Sequence, residues 1–296
     1  MAILVNNIKI SINQTKDDAF AKALKMAKLK KEQVDSISIS KSSVDARKRD
    51  DIKIVMSIII NANIDEELAV SKVKSNDVRY HKTLNFEIIK GTEKLLKRPV
   101  VIGFGPAGMF SALLLAKEGY KPIVIERGSK IEERVDFVNN FWKNAVLNTE
   151  TNVQFGEGGA GTFSDGKLTT RISDERCEYV LKEMVRFGAT EDILTKAKPH
   201  IWTDKLRKIV KNIREEIIKL GGEVRFNEKI VDIKLNGNKI KSIVTNKEEI
   251  ETENVILAIG HSARDTFEML CNKEVFMEPK VFSVGVRIEH LPDDIN

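Results

Sequence analysis

Hydrophobic and polar positions alternate along the first part of the chain in a way that predicts short strands around a helix. The stretches ILVNNIKISI at 3–12 and VDSISIS at 34–40 alternate with a period of two, as half-buried strands do. Between them, residues 15–29 begin with Thr15 as an N-cap and place acids in the first turn and lysines toward the end, which indicates a helix. A more buried strand, DIKIVMSIIINA, is predicted at 51–62.

A short helix near 65–74 and a strand near 80–89 complete this unit, for which we predict the bounds 1–92. The resulting order, β-α-β-β-α-β, is that of a small α+β, ferredoxin-like sandwich. Because this topology serves many functions, it points to none by itself.

The pattern changes at Arg98, where short apolar runs begin to alternate with helical segments. PVVIGFG at 99–105, PAGMFSALLLAKEGY at 106–120 and KPIVIER at 121–127 read as strand, helix and strand. A doubly wound parallel sheet begins in this way. We therefore predict an α/β, Rossmann-like domain over 98–296.

The second half of this domain is predicted to contain a long helix over 204–220, ending in a glycine pair that suits a C-cap. Short strands separated by turn residues over 224–252 predict a three-stranded antiparallel meander. NVILAIG at 254–260 then returns the chain to the parallel sheet.

The composition is that of an ordinary globular protein and argues against a disordered or a membrane-spanning chain. Hydrophobic residues make up 42% and charged residues 31% of the 296 positions, which argues against disorder. The apolar runs are far shorter than the roughly 18 residues of a membrane span, and the N-terminus has no basic region before a long apolar stretch. We therefore predict a cytoplasmic protein with no membrane partner.

The net charge of +5 is unevenly distributed along the chain. Residues 1–97 contain 19 Lys and Arg against 13 Asp and Glu, whereas the remainder is close to neutral. A basic domain suits a nucleic-acid surface, but acids interrupt the lysine runs and few aromatic residues accompany them for base stacking. A solvated lysine-rich face is the favoured interpretation, with nucleic acid as the alternative partner.

The glycine loop GFGPAG at 103–108 satisfies the pattern G-x-G-x-x-G between a strand and a helix. Gly103 permits the tight turn, Gly105 lets a pyrophosphate approach the backbone, and Gly108 lets the helix pack on the strand. Glu126, at the end of the next strand, is placed to accept both hydroxyls of an adenosine ribose. This context predicts a dinucleotide site and disfavours NADP, whose 2′-phosphate the carboxylate would repel.

Three features favour FAD over NAD at this site. Pro106 and Ala107 inside the loop, and Arg127 directly after the acid, are frequent in flavoproteins. The meander is the insertion that such folds carry. The strand VILAIG ends in Gly260, where flavoprotein chains pass back near the nucleotide.

A second match to the glycine pattern, GEGGAG at 156–161, lacks this context. No clear strand precedes it, no helix opening follows it, and no acid follows at the end of a second strand. We interpret it as a loop whose main-chain amides form an anion-binding concavity against the same flavin. Ser164, Asp165 and Lys167 are then the polar groups nearest the ring edge, and a glycine loop with no ligand is the alternative.

The segments GFGPAGMF, VIERG, NVQFGEGGAGTFSDGKL, KPHIWTDKL, VILAIGHSARDTF and PKVFSVGVRIEH together resemble the uncharacterised FAD-dependent dehydrogenases, also called NAD(FAD)-utilising dehydrogenases. These are remote relatives of the fumarate-reductase and aspartate-oxidase flavoproteins. The small leading domain fits the same family, so the resemblance covers essentially the whole chain. It implies an FAD-dependent oxidoreductase of unknown substrate, with FAD bound through the first loop, Glu126 and Arg127. It also implies contacts from Gly158, Gly159, Ala160 and Gly161, from the backbone near Ile230 and from Gly260.

The family continues beyond RIEHLPDDIN with a substrate domain and a last glycine-rich FAD segment, so we expect one wall of the flavin site to be missing here. A nucleic-acid-associated flavoprotein of the tRNA-modification type and a truncated, non-catalytic product are the alternative interpretations. No metal site and no catalytic side chain are predicted. His200 and His261 flank loops of the sheet, where a structural hydrogen-bonding role is favoured over acid-base chemistry. Cys177 and Cys271 form no C-x-x-C pair, which excludes a dithiol relay within these residues.

Overall fold

The computed structural model describes the protein over residues 2–82, 88–89, 91–163, 168, 170, 172, 174–282, 284–286 and 288–294. Regular structure falls into an N-terminal antiparallel sheet with its helices and a C-terminal part built on a parallel sheet. None of the described helices combines the length and the apolar content that a membrane span needs.

The N-terminal part is a four-stranded antiparallel sheet packed against helices. Its elements are β1 (Ala2–Ser11), α1 (Lys16–Ala27), β2 (Val34–Asp45), β3 (Lys53–Ala62), α2 (Glu66–Ser71) and β4 (Val78–His81). The strands lie in the order β2-β3-β1-β4, and all neighbouring pairs are antiparallel. This is the ferredoxin-like arrangement, and the prediction of it is confirmed.

A β-bulge in β1 keeps the apolar residues of this strand on one face. Ile3 and Val5 are buried before the bulge, and Ile8 and Ile10 are buried after it, so the buried positions change from odd to even. Asn7 absorbs the extra residue with a φ of 57°, a conformation that asparagine tolerates better than most side chains. The strand can therefore face the helices along its whole length.

The described residues of the C-terminal part form a parallel sheet, an antiparallel meander and five α-helices. Its elements are β5 (Val100–Ile102), α3 (Pro106–Lys117), β6 (Ile123–Ile125), α4 (Ile131–Asn144), α5 (Glu175–Arg186), α6 (Thr203–Lys219), β7 (Glu223–Arg225), β8 (Ile230–Asn236), β9 (Lys239–Thr245), β10 (Glu249–Glu251), β11 (Val255–Leu257) and α7 (Arg264–Asn272). The parallel sheet has the order β11-β5-β6-β7, and the meander has the order β10-β9-β8. The predicted Rossmann-like fold is confirmed.

Both faces of the parallel sheet are covered, which explains why its strands are apolar throughout. Val101 and Val124 pack into one core with α3 and α6. The alternate residues, such as Ile102 and Ile125, pack into a second core with the meander and Leu270 of α7. A sheet buried on both sides has no polar face, so its sequence shows continuous apolar runs.

The predicted extent of the meander was wrong at its start. Residues 223–225 form β7, which pairs in parallel with β6 and so belongs to the Rossmann-like sheet. The meander itself begins at Ile230. A strand of three residues carries too little periodicity to reveal its partner, and the partner is set by α6, which crosses back over the sheet before β7.

The outer edge of β2 is covered by a segment from the C-terminal part. The main-chain N–H of Ser42 donates to the carbonyl of Thr195 (2.7 Å), and the N–H of Ala197 donates to the carbonyl of Ser42 (2.9 Å). An exposed strand edge would offer unpaired main-chain groups to other chains. These two bonds satisfy part of the edge and connect the N-terminal sheet to the segment before α6.

Candidate functional site

A cavity of about 530 Å³ opens at the carboxyl ends of β5, β6 and β11. Ligands of open α/β sheets bind at this edge, and the volume lies in the range of about 300–1,000 Å³ that is usual for small-molecule sites. The two glycine loops, the end of β6, the start of β8 and the segment after β11 line it. Residues far apart in sequence therefore meet around one space.

Two glycines of the first loop are required by the packing of the protein itself. Gly103 has a φ of 96°, and a Cβ on it would lie 2.4 Å from the carbonyl oxygen of Ala258, just after β11. A Cβ on Gly108 would lie 1.9 Å from the carbonyl oxygen of Gly103. Only glycine allows these contacts, which bring the N-terminus of α3 against the ends of β5 and β11.

Gly105 is different, because the protein leaves space beside it. Its backbone is extended, with φ −73° and ψ −175°, a conformation open to any residue. A Cβ there would come within 4 Å of Gly159 alone, at 3.9 Å from its Cα. Gly105 lines the cavity at the start of α3, where the first N–H groups of the helix have no carbonyl partners within the helix. The space therefore fits an anionic group that approaches the main chain closely.

Glu126 is buried at the end of β6 and connects three segments that border the cavity. Its Oε2 accepts a hydrogen bond from the N–H of Phe104 (2.7 Å), and its Oε1 accepts from the N–H groups of Gly128 (2.8 Å) and Gly156 (3.0 Å). A carboxylate offers about four acceptor positions, so some acceptor capacity remains toward the cavity that Glu126 lines. The residue thus holds both glycine loops in addition to facing the cavity.

The second glycine loop, residues 156–161, packs directly against the first loop. The N–H of Gly158 donates to the carbonyl of Phe104 (2.8 Å). A Cβ on Gly159 would lie 3.3 Å from the Cα of Gly105. The two loops therefore form adjoining walls of one cavity.

The elements around the second loop differ from those around the first. No described strand precedes it directly, and its last two residues begin a 3₁₀ helix over Ala160–Phe163, whereas the last residues of the first loop begin an α-helix. Without an α-helix N-terminus, this loop lacks the aligned N–H groups of a dinucleotide fold.

Most of the residues predicted to hold a cofactor line the cavity. They are Gly103, Gly105, Pro106, Ala107, Glu126, Arg127, Gly159, Ala160, Ile230 and Gly260. Three more lie behind this lining: Gly108 in the first turn of α3, against Gly103, Gly158 against Thr162 and Val210, and Gly161 near Leu206. Ser164 and Lys167, like Asp165, lie outside the described residues.

Charged side chains from distant segments form the rim of the cavity beyond β6. Arg127 donates to Asp265 (2.8 Å), and its guanidinium lies 4.6 Å from the ring centre of Phe155. Lys229 pairs with Glu150 (2.7 Å), and Arg127, Phe155 and Lys229 all line the cavity. Sequence analysis missed Lys229 and Phe155, because no local motif relates these positions and only the fold brings them together.

The two histidine candidates are separated by the fold. His261 is exposed and lines the cavity after β11. His200 packs edge-on against Trp202, with ring centres 5.0 Å apart. Across the described ranges, no three His, Cys, Asp or Glu side chains are grouped so that they could hold a metal ion.

Glu157, in the second loop, carries a buried carboxyl group beneath the cavity wall. Its Oε2 accepts from the N–H of Ile131 (2.6 Å) and from Arg214 (2.7 Å), which also pairs with Glu132 (2.8 Å). Burial raises the pKa of Glu157 from 4.5 to about 7, because desolvation of the charged form outweighs the N–H of Ile131 and the charge of Arg214, which favour it. The negative charges of Glu132 and Glu126 add to the upward shift. The hydrogen bond from Arg214 lowers the pKa of the more exposed Glu132 to about 2.

Two different families match the N-terminal and the C-terminal part of the chain. The family described as pyridine nucleotide-disulphide oxidoreductase matches residues 97–267. A family described only as a domain of unknown function matches residues 2–61. The first match contains both glycine loops and the residues that line most of the cavity.

Individual relatives add little on function. An uncharacterised protein of Clostridium beijerinckii is 49% identical over the whole chain, which spans 56% of that relative. D-amino acid dehydrogenase of Helicobacter pylori is 32% identical over 53 residues, 18% of this chain and 13% of its own. Among solved structures, L-amino acid deaminase from Proteus vulgaris is 14% identical, with a TM-score of 0.38 over 64% of this chain and 53% of its own. Glycine oxidase from Bacillus cereus is 15% identical, with a TM-score of 0.33 over 60% of this chain and 58% of its own.

The raised pKa of Glu157 predicts a pH dependence of stability. Between pH 4.5 and about 7 the unfolded chain releases a proton that the folded protein keeps, so rising pH lowers the free energy of unfolding in this window. Glu157→Gln removes the titration, and its stability relative to the wild type should therefore increase from pH 5 to pH 8, by on the order of 1–3 kcal/mol. Urea denaturation at both pH values measures this difference.

Glu132→Gln is the matched control for this experiment. The pKa of Glu132 is lowered to about 2. Its contribution to the free energy of unfolding is therefore lost as the pH falls below 5 and stays constant as the pH rises above 5. The difference in the free energy of unfolding between this variant and the wild type should therefore be the same at pH 5 and at pH 8. Parallel pH curves for Glu157→Gln and the wild type would contradict the assignment of the titrating group.

Proposed function

Because the chain belongs to the pyridine nucleotide-disulphide oxidoreductase family, we propose that it binds one FAD in the cavity at the ends of β5, β6 and β11 and acts in the oxidoreduction of a small organic substrate. The matched segment is a Rossmann-like, FAD-binding domain of an oxidoreductase. The chain spans about half the length of the Clostridium relative. The activity of the whole protein and its substrate are therefore part of the proposal.

The space beside Gly105 is the observation that carries this proposal. Neither the backbone conformation of Gly105 nor the packing of the protein around it requires a glycine. A ligand that needs close approach to the main chain does require one, and the pyrophosphate of a dinucleotide at a helix N-terminus is such a ligand. The presence of a glycine at position 105 is thus explained by a bound dinucleotide such as FAD and not by the fold of the protein itself.

We assign the parts of the cavity to the parts of the cofactor as follows. The first glycine loop and the N-terminus of α3 would hold the pyrophosphate. Glu126 would accept the ribose hydroxyls, with Arg127 and the main chain near Ile230 at the adenine end. Gly159 and Ala160 would lie against the same flavin from the second loop, beside Gly260. Bound FAD supplies the redox chemistry, while these residues hold and orient it.

The contact between the glycine loops supports one dinucleotide site. A second, independent site for NAD(P)H at 156–161 would need its own strand and α-helix N-terminus, and among the described elements a 3₁₀ helix takes that place. Cys177 and Cys271 are both free, so these residues provide no dithiol relay for electrons leaving the flavin.

The surface of the N-terminal sheet does not favour the alternative of a nucleic-acid-associated flavoprotein. Exposed lysines lie on opposite sides of the sheet, with Lys25 on α1 and Lys9 and Lys41 on the strands. Phe20 and Tyr80 are the only aromatic residues in 2–82, and Phe20 packs into the core. A scattered charge without a stacking surface is typical of a solvated domain. We also propose the domain bounds 1–92 and 98–296 and a cytoplasmic location.

Gly105→Val should abolish FAD binding while the protein stays folded. The valine side chain would occupy the space assigned to the pyrophosphate, and the extended backbone accepts it without strain. Flavin released on denaturation measures occupancy, and thermal unfolding measures the fold. Gly91→Val is the control, because a Cβ at Gly91 also meets open space but lies outside the cavity. Undiminished flavin in Gly105→Val would place the nucleotide elsewhere.

Glu126→Gln should weaken FAD binding by about 10–100-fold, since a hydrogen bond to a charged group contributes roughly 1.5–3 kcal/mol. Riboflavin, which lacks the adenosine ribose, should bind the variant and the wild type alike. Fluorescence titration with both ligands separates the two effects. Glu183→Gln, which changes a buried carboxyl outside the cavity, serves as the control. Equal losses for FAD and riboflavin would contradict the ribose assignment.

Amide hydrogen exchange should show that FAD, and neither NADH nor NADPH, adds protection to the second loop. Addition of FAD should protect Phe155–Phe163, and further addition of NADH or NADPH should leave this protection unchanged, because the loop lacks the elements of a second dinucleotide site. Protection of the loop by NADPH in protein already saturated with FAD would show two sites and overturn this assignment.

A further inference from the structure

Arg134 lies outside both glycine loops, yet its side chain hydrogen-bonds to the second loop and to the residues on either side of it. Its side chain is fully buried on α4. The guanidinium donates to the carbonyl oxygens of Asn152 (2.9 Å), Val153 (3.0 Å), Gly156 (3.3 Å), Glu157 (2.6 Å) and Gly159 (2.9 Å). It also donates to Oγ1 of Thr162 (2.9 Å), which in turn donates to the carbonyl of Gly159 (2.8 Å).

The buried carbonyl groups of the second glycine loop need hydrogen-bond donors, and Arg134 provides them. Gly156, Gly158 and Gly159 all have positive φ, with values of 117°, 80° and 66°. Main-chain turn bonds reach the carbonyls of Gly156, from the N–H of Gly159 (3.1 Å), and of Gly159, from the N–H of Thr162 (3.4 Å). A carbonyl oxygen has two acceptor positions, however, and a buried carbonyl without a partner is costly. Arginine presents five N–H donors in one rigid plane, whereas lysine presents three on a flexible stem. A single buried arginine can therefore satisfy the inner side of the whole loop.

The glycines of the second loop fit around this side chain and its neighbours. A Cβ on Gly156 would lie 2.5 Å from Cδ of Arg134, and a Cβ on Gly158 would lie 2.5 Å from Cγ2 of Thr162. With its carbonyls turned toward Arg134, the loop presents Gly158 and Gly159 to the first loop, where the contacts described above occur. Gly156 is thus explained by the arginine on the inner side of the loop, and Gly158 by Thr162, which hydrogen-bonds to that arginine.

We propose that Arg134 is a positioning residue of the flavin site: it folds the second glycine loop around its guanidinium and so holds this cavity wall against the first loop. The part of this inference that concerns FAD binding rests on the proposed function. The part that concerns the folding of the loop around Arg134 does not depend on it. Burial lowers the pKa of Arg134 to about 10, which leaves it charged at neutral pH. The ring of Phe163, 4.8 Å from the guanidinium, covers it on one side.

The test compares Arg134→Lys with Arg98→Lys in flavin-free and in FAD-saturated protein. Arg98 is the matched control, because it also donates to main-chain carbonyls, those of Lys121 (2.7 Å) and Pro122 (3.3 Å), at the opposite end of the parallel sheet. Arg134→Lys should raise amide exchange across 155–163 in the flavin-free protein and weaken FAD binding, each by about tenfold or more. Arg98→Lys should leave both quantities near wild type.

Thr162 provides a second, milder pair of variants in case Arg134→Lys fails to fold. Thr162→Val removes the hydroxyl that accepts from Arg134 and keeps the shape of the side chain, whereas Thr162→Ser keeps the hydroxyl. The valine variant should raise loop exchange and weaken FAD binding by about threefold to tenfold, and the serine variant should restore both toward wild type.

Three results would overturn the proposal. These are an unchanged loop exchange in Arg134→Lys, a loop that loosens while FAD affinity is kept, and equal behaviour of the valine and serine variants at Thr162. A wild-type protein that binds no FAD would contradict the proposed function instead. In that case the exchange measured without flavin still decides whether Arg134 folds the loop.

Discussion

The close approach of α3 to the ends of β5 and β11 is the constraint on which the cavity depends. The carbonyl oxygen of Gly103 occupies the position that a Cβ on Gly108 would need, and the carbonyl of Ala258 does the same for Gly103. Any side chain at these positions would move α3 off the sheet. The unpaired N–H groups at its N-terminus would then leave the cavity, and with them its capacity to bind an anion.

The position of the second glycine loop depends on that of the first, because Glu126 hydrogen-bonds to both. Its two carboxylate oxygens accept N–H groups from Phe104 in the first loop, from Gly128 after β6 and from Gly156 in the second loop. The carboxylate for which we propose a ribose contact is therefore also the group that connects the two loops. Glu126 would thus serve both FAD binding and the local fold. A variant at this position that binds FAD more weakly therefore has to be checked for a change in the two glycine loops.

The sequence was sufficient for features that depend on neighbouring residues. Alternation over 3–12 and the strand-loop-helix context of 103–108 depend on local geometry, and both predictions agree with the structure. The parallel pairing of β7 and the grouping of Arg127 with Lys229 depend on how α6 and the meander cross the sheet. Three residues of strand, or two cations a hundred positions apart, carry no local signal of such contacts.

The two matches to G-x-G-x-x-G have different physical origins. In the first, glycines remove side chains where a helix meets a strand, and Gly105 leaves space for a ligand. In the second, Gly156 makes room for Arg134. An apolar side chain at 134 could fill the same volume, but it would remove the donor that Arg134 provides to five carbonyl groups. The shape of the second loop is therefore encoded on α4, outside the motif, and for this reason the motif alone does not reveal its role.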